Sequence, residues 1–159
     1  MNDTLALSSP SSTALGARSV RLLIVDDHPV VRSGLVGMLD SAVDIDVVGQ
    51  AVDGAAAVEL AGELAPDVVL MDLRMPGMDG VEATRRILAV SDPPRVVVLT
   101  TYDTDGDILP AVEAGAIGYL LKDSPREDIL AAVRAAAVGR GVLSPAVTSR
   151  LVEAARGAG

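Results

Sequence analysis

Apolar residues fall along this chain in two alternating patterns. Five short runs are rich in aliphatic residues: VRLLIV from Val20, DVVGQA from Asp46, DVVLM from Asp67, RVVVL from Arg95 and AIGYLL from Ala116. VRLLIV, DVVLM and RVVVL are nearly continuous in Val, Ile and Leu, as expected of strands covered on both faces of a parallel sheet. Between the runs, apolar residues recur at helical spacing. Val31, Leu35, Met38 and Leu39 share one face of a first helix, and Ile129, Leu130, Val133 and Ala137 share one face of a later one.

The helix starts are marked by residue type. Pro29 after His28 and Pro125 after Ser124 each stand at an expected first helical position, where the missing backbone N–H costs nothing. Ser124 with Glu127, and Asp79 with Glu82, have capping-box spacing. Strands alternating with helices predict right-handed βα units and a doubly wound α/β domain with a five-stranded parallel sheet. Pro110, with Gly106 nearby, falls in the fourth helical segment, and proline is tolerated only in a first turn. That helix is therefore expected to start late and to be short or mobile. A trailing helix is expected from Pro145 to about Arg156, capped by Ser144 after the GRGVLS turn. Residues 1–19, dominated by Ser, Thr, Pro and Gly, read as a disordered tail. The expected layout is thus a tail over 1–19, a domain over 20–139 and a linker helix over 140–159.

Composition narrows the class. Half of the 159 residues are hydrophobic, yet Phe and Trp are absent and Tyr occurs twice, so the core must be aliphatic. The length suits one domain that buries roughly two-thirds of its unfolded surface. No cysteine is present, which excludes a disulfide framework, a thiolate metal site and a thiol nucleophile, and suits a reducing cytoplasm. Lys and Arg number 13 against 22 Asp and Glu, a net charge of −9, so this segment repels a nucleic-acid backbone. No apolar run approaches the ~20 residues that span a bilayer, and the N-terminus has no secretory pattern. A cytoplasmic protein without membrane contact is expected.

In such a sheet, ligands gather beyond the carboxyl ends of the strands. The first run ends in Asp26-Asp27, the third in Asp72, the fourth in Thr100-Thr101, and the fifth is followed by Lys122. The second ends in Ala51-Val52 and brings no polar group, as expected of an edge strand. Singly, Asp26 and Asp27 read as a solvated turn or helix cap, and Thr100 as a strand residue with a local hydrogen bond. Together, three carboxylates at one rim repel and raise one another's pKa unless a cation stands among them. Lys122 can neutralise one. Mg2+ suits the rest, because it accepts one or two carboxylates, keeps waters and takes phosphoryl oxygens, whereas no His or Cys cluster argues for zinc. A carboxylate beside Mg2+, Lys and Thr is equipped to attack a phosphoryl group.

These motifs, LLIVDDHPVVR, VVLMDLRMPGMDG, VVVLTTYD and GYLLKDSP, resemble the receiver domain of bacterial two-component response regulators. The DDHP opening and LLKD ending most resemble its NarL/FixJ (LuxR-type) branch, and the likeness covers about Val20 to Gly139. It implies a flavodoxin-like, CheY-like fold in which Asp72 is the phosphoacceptor. Asp27 would bind Mg2+ directly, Asp26 would assist, and the backbone carbonyl of Arg74 would complete the protein ligands. Thr100 would contact the phosphoryl group, Lys122 would pair with it, and Tyr119 would be the aromatic that rotates as Thr100 moves. By the same resemblance the partner is a sensor histidine kinase, and phosphorylation promotes a homodimer. Transcription control would act through a C-terminal helix-turn-helix domain that this chain does not contain. The chain would be a switch that assists its own phosphorylation and dephosphorylation, not an enzyme with external substrates.

Some positions depart from the family pattern or stay open. Many receivers have a cis proline after the lysine, whereas Asp123 follows Lys122 here, leaving that bond's isomer undecided. Tyr119 reads almost equally as a structural anchor, His28 as a cap or surface residue, and Asp79 as a helix cap. Tyr102 and Arg74 flank the site. A haloacid-dehalogenase-type phosphohydrolase needs a second acid two positions after the nucleophile, and Arg74 stands there. A dinucleotide-binding enzyme needs G-x-G-x-x-G after the first strand, and DDHPVV stands there. A stand-alone single-domain regulator, or an interaction module independent of phosphorylation, are the alternatives.

Overall fold

A computed structural model of the chain describes residues 19–101 and 108–143, together with Thr148, Ser149, Val152, Glu153, Ala155 and Arg156. The strands are β1 (Val20–Val25), β2 (Ile45–Ala51), β3 (Val68–Asp72), β4 (Arg95–Thr100), β5 (Gly118–Leu121) and β6 (Val142–Leu143). The helices are α1 (Pro29–Asp40), α2 (Gly54–Leu64), α3 (Gly80–Ile87), α4 (Ile108–Ala114) and α5 (Arg126–Ala137). All strand pairs are parallel, in the order β2-β1-β3-β4-β5-β6. The doubly wound fold is as expected from the five apolar runs. A sixth strand extends it: Val142 and Leu143 pair with Gly118 and Tyr119, past the expected boundary at 139. Two residues are too few to show a period, so the GRGVLS segment read only as a turn.

Strand residues alternate between two aliphatic cores, one on each face of the sheet. Leu22, Ile24, Val68 and Leu70 pack with Leu35 and Leu39 of α1 and with Ile129 and Val133 of α5. Leu23, Val25, Val69 and Met71 pack with Ala57 and Ala61 of α2, Val81 and Ile87 of α3 and Ile108 of α4. Every residue of β3 is buried, and each buried Val, Leu or Met side chain contributes about 1.5–3 kcal/mol. On α1, Leu35 and Leu39 are buried while Val31 is exposed; on α5, Ala137 is half-buried and Ala136 takes the inner position.

The caps divide. α1 starts at Pro29 with His28 at its N-cap, and Asp79 Oδ1 caps α3 by accepting from the Glu82 N–H at 2.9 Å. Glu82 does not complete the box; its carboxylate binds Arg85 and Arg86 at 2.5 and 2.8 Å. At α5 the expectation fails by one residue. Pro125 is the N-cap, without a side-chain bond, and the helix starts at Arg126. Ser124 is drawn into a turn in which its N–H donates to the Leu121 carbonyl at 3.0 Å, so it does not cap. Pro110 is the third residue of the seven-residue α4, inside the first turn, where its missing N–H has no helical partner. No cis peptide bond occurs among the described residues, so Lys122–Asp123 is trans. The described residues from Thr148 to Arg156 have helical backbone, while Ser144, Pro145, Gly106 and Tyr102 lie outside the described residues.

Candidate functional site

Strand register delivers the polar groups to one rim. Val25 pairs with Met71, so Asp26, next after Val25, comes level with Asp72 at the end of β3. The Asp26 N–H donates to the Ala51 carbonyl at 3.1 Å, which ties this turn to β2. Asp72 pairs with Leu99 and Thr100 with Leu121, and the Lys122 N–H donates to the Thr100 carbonyl at 2.8 Å. The chain moves outward from β1 to β2 and returns to β3 on the other side of β1. Asp26 and Asp72 therefore stand where the winding changes direction, the position at which α/β sheets bind ligands.

Lys122 reaches across both acids. Its Nζ lies 3.0 Å from Asp26 Oδ2 and 3.1 Å from Asp72 Oδ2. Asp26 is 1% exposed, Asp72 5% and Thr100 1%. Asp27 lies nearer solvent. Among the described residues, the buried oxygens Asp26 Oδ2 and Asp72 Oδ2 are met only by the Lys122 ammonium, and Asp27 Oδ1 only by the His28 ring. Burial pushes the Asp72 carboxyl up to about 6; Lys122 opposes that shift, and the charges of Asp26 and Asp27 add to it. For Lys122, burial works to lower the pKa, and the hydrogen bond and charge of Asp26 with the charge of Asp72 outweigh it, so the net shift is upward. One ammonium, paired with Asp26 and Asp72, among three acids leaves net negative charge and further carboxylate lone pairs, the donor set a hard divalent cation needs. The residues present fit Mg2+.

The surroundings hold this arrangement in place. The His28 N–H donates to Asp26 Oδ1 at 2.8 Å, and the Arg32 guanidinium donates to the Asp26 carbonyl at 2.8 Å. Thr100 Oγ1 donates to the Thr101 carbonyl at 3.3 Å, and a cavity of about 130 Å³ lined by Thr100, Thr101, Leu121, Lys122 and Asp123 opens beside it. Tyr119 is buried with Ile108, Ala111 and Ala116, and its hydroxyl donates to the Ala116 carbonyl. Burial alone raises that phenol to about 12. Arg74 is exposed in the loop after Asp72. A larger cavity, about 560 Å³, lies at the opposite end of the sheet beside Pro66, Asp67, Asp92 and Arg95, and shares no residue with the acids.

The structure thus brings Asp26, Asp27, Asp72 and Lys122 together, with Thr100 at their border and Tyr119 directed into the core. Two contributors escaped the sequence reading. Arg32 braces Asp26 from the first turns of α1; its position four residues after His28 was the available signal. Gly80 is the other. A Cβ there would meet the Asp72 carbonyl oxygen at 2.1 Å, and the Gly80 N–H donates to the Leu73 carbonyl at 2.8 Å. Only glycine lets α3 start so close to the end of β3.

A family profile described as "Response regulator receiver domain" matches residues 22–134. This chain belongs to that family. It is 45% identical over 140 residues to the transcriptional regulatory protein LiaR of Bacillus subtilis, covering 88% of this chain and 66% of that protein. It is 43% identical over 135 residues to the nitrate/nitrite response regulator protein NarL of Escherichia coli, covering 85% of this chain and 62% of that protein. Among solved structures, the receiver domain of the putative response regulator NarL from Mycobacterium tuberculosis superposes with a TM-score of 0.73 at 43% identity, over 77% of this chain and 99% of that one. The chain therefore spans less than two-thirds of those two full-length relatives, and within that span it is a receiver domain of the NarL/LuxR type. No helix among the described residues is long and apolar enough to cross a membrane.

Proposed function

We propose that this receiver is a phosphorylation-controlled switch in which Asp72 accepts a phosphoryl group from a sensor histidine kinase. One observation carries the reading: a buried carboxylate with a raised pKa lies 3.1 Å from a lysine ammonium, level with two further acids. At neutral pH most of Asp72 is ionised yet poorly solvated, which favours nucleophilic attack.

An Asp72 carboxylate oxygen attacks phosphorus, an O–P bond forms, and the P–N bond to the kinase imidazole breaks. Attack by water later breaks the O–P bond, releases inorganic phosphate and restores the carboxylate. The carboxylates of Asp27, Asp72 and Asp26, with the backbone carbonyl of Arg74, would hold Mg2+, which supplies positive charge against the acids and the phosphoryl oxygens. Lys122 moves its ammonium from carboxylate to phosphoryl oxygen, and Thr100 turns its hydroxyl from the Thr101 carbonyl to the same group. Tyr119 follows the space Thr100 vacates. The change is a population shift that spreads through β4, α4 and β5 and favours a homodimer. The domain assists its own phosphorylation and dephosphorylation and turns over no external substrate.

Control of transcription would then fall to a helix-turn-helix segment in the part of the relatives that this chain does not span. The net charge of −9 argues against DNA contact by this segment itself. Incubation with acetyl phosphate and Mg2+, followed by intact mass and size-exclusion chromatography, tests the reading. A gain of one phosphoryl group that vanishes with EDTA and in Asp72→Asn supports it. Equal labelling of Asp72→Asn refutes it.

A further inference from the structure

His28 is the one member of the acid pocket that the phosphoryl chemistry does not use. One ligand atom each from Asp26, Asp27, His28 and Asp72 lies within 4.8 Å of the others. The ring Nδ1 of His28 stands 3.1 Å from Asp27 Oδ1 and 3.4 Å from Asp26 Oδ1. Asp27 Oδ1 is buried, and the ring nitrogen is the donor atom that stands nearest to it among the contacts described. Adjacent donors on one ion with bonds of about 2.1 Å lie about 3.0 Å apart in an octahedron and about 3.4 Å apart in a tetrahedron. Both distances from the ring nitrogen fall in the range of two ligands that share one ion, and the acids lie within 4.8 Å of each other.

Donor chemistry decides which ion gains. An imidazole nitrogen adds little for Mg2+, which prefers oxygen, and much for zinc, cobalt, nickel or copper. The backbone that carries the ring is already held. The Arg32 N–H donates to the His28 carbonyl at 2.9 Å, and the His28 N–H donates to Asp26. The side chain is 65% exposed, so an ion can enter and the ring can turn without disturbing the core.

We propose that His28 adds a nitrogen donor to the acid pocket, so that a divalent transition ion of the zinc and cobalt class binds through Asp27 and His28 in competition with Mg2+. This rests on the reading of the acids as a cation site. Site occupancy would then depend on the ratio of transition ion to Mg2+, with transition-ion preference set by one residue beside the acid pair.

The test titrates the tag-free chain by calorimetry with Mg2+ and, separately, with Co2+, whose visible absorption reports its ligands. Wild type binds both ions, and Asp27→Asn weakens both. In His28→Ala, Co2+ affinity falls at least about tenfold and its absorption band shifts, while Mg2+ affinity stays within about threefold. His28→Gln repeats the loss with a polar side chain retained, which separates ligand removal from damage to the start of α1. Unchanged Co2+ affinity and spectrum in both His28 variants overturn the proposal and leave the acid pocket standing. An equal change for both ions assigns His28 a charge effect and overturns it too. Mg2+ binding that survives Asp27→Asn overturns the acid-pocket reading itself.

Discussion

The ammonium of Lys122 stands 3.1 Å from the carboxylate of Asp72 and, on its other side, 3.0 Å from Asp26. A lysine that bridges two buried acids cannot be removed without leaving both unpaired. Lys122→Met is expected to destabilise the metal-free domain by about 2–4 kcal/mol. Urea unfolding at neutral pH measures it, and a loss below the error of the fit would mean that the ion pairs contribute nothing.

Asp72 gives the metal-free fold a pH dependence of known sign. Its carboxyl is raised from 3.8 to about 6 by burial, so the folded state holds its proton more tightly than the unfolded chain. The folded state is favoured most below the unfolded value; that advantage declines between about pH 4 and 6 and is gone above. Asp72→Asn should flatten this slope and stabilise the metal-free protein at pH 7.5 by about 1–3 kcal/mol. Urea midpoints across pH 4–8 in EDTA check it; a less stable variant at pH 7.5 would contradict the stated burial cost.

Mg2+ should recover that cost, because it binds the folded pocket and has no such site in the unfolded chain. At a hundredfold excess over its dissociation constant the gain is about 2.7 kcal/mol. Thermal melting with and without Mg2+ should show an upward shift in wild type and a much smaller one in Asp27→Asn.

Gly80 sets the distance between β3 and α3. In Gly80→Ala the new methyl meets the Asp72 carbonyl at 2.1 Å and the Leu73 Cα at 2.7 Å. Backbone must move at the residue that would be phosphorylated. A destabilisation of about 1–3 kcal/mol is expected, with slower phosphoryl uptake from acetyl phosphate in whatever fraction stays folded. Wild-type stability and uptake would show that the loop yields freely.

How much of this could be read beforehand depended on where the signal lay. Asp26, Asp72 and Lys122 were legible because each ends or follows an apolar run, and parallel strands bring their carboxyl ends to one rim. Pro110, whose ring forbids an interior position, stands third among the described residues of α4. By contrast β6 rests on two residues, and its pairing with Gly118 and Tyr119 is a tertiary contact with no local period. Ser124 looked like a cap, but the turn from Leu121 claimed its backbone first. The sequence reading gave Lys122 one acid to neutralise; its reach to two follows from side-chain geometry. The need for glycine at position 80 likewise exists only once α3 lies against the end of β3. His28 was read as a cap or surface residue, and its ring faces the acids only because α1 starts where it does.

The most direct measurement locates the phosphoryl group. The chain is phosphorylated with acetyl phosphate and Mg2+, reduced with borohydride, which converts an acyl phosphate on aspartate to homoserine, and mapped by peptide mass spectrometry. The account predicts homoserine at position 72 alone and none when Mg2+ is chelated. Homoserine at Asp26 or Asp27 instead, or a phosphorylated protein with none at position 72, would contradict it.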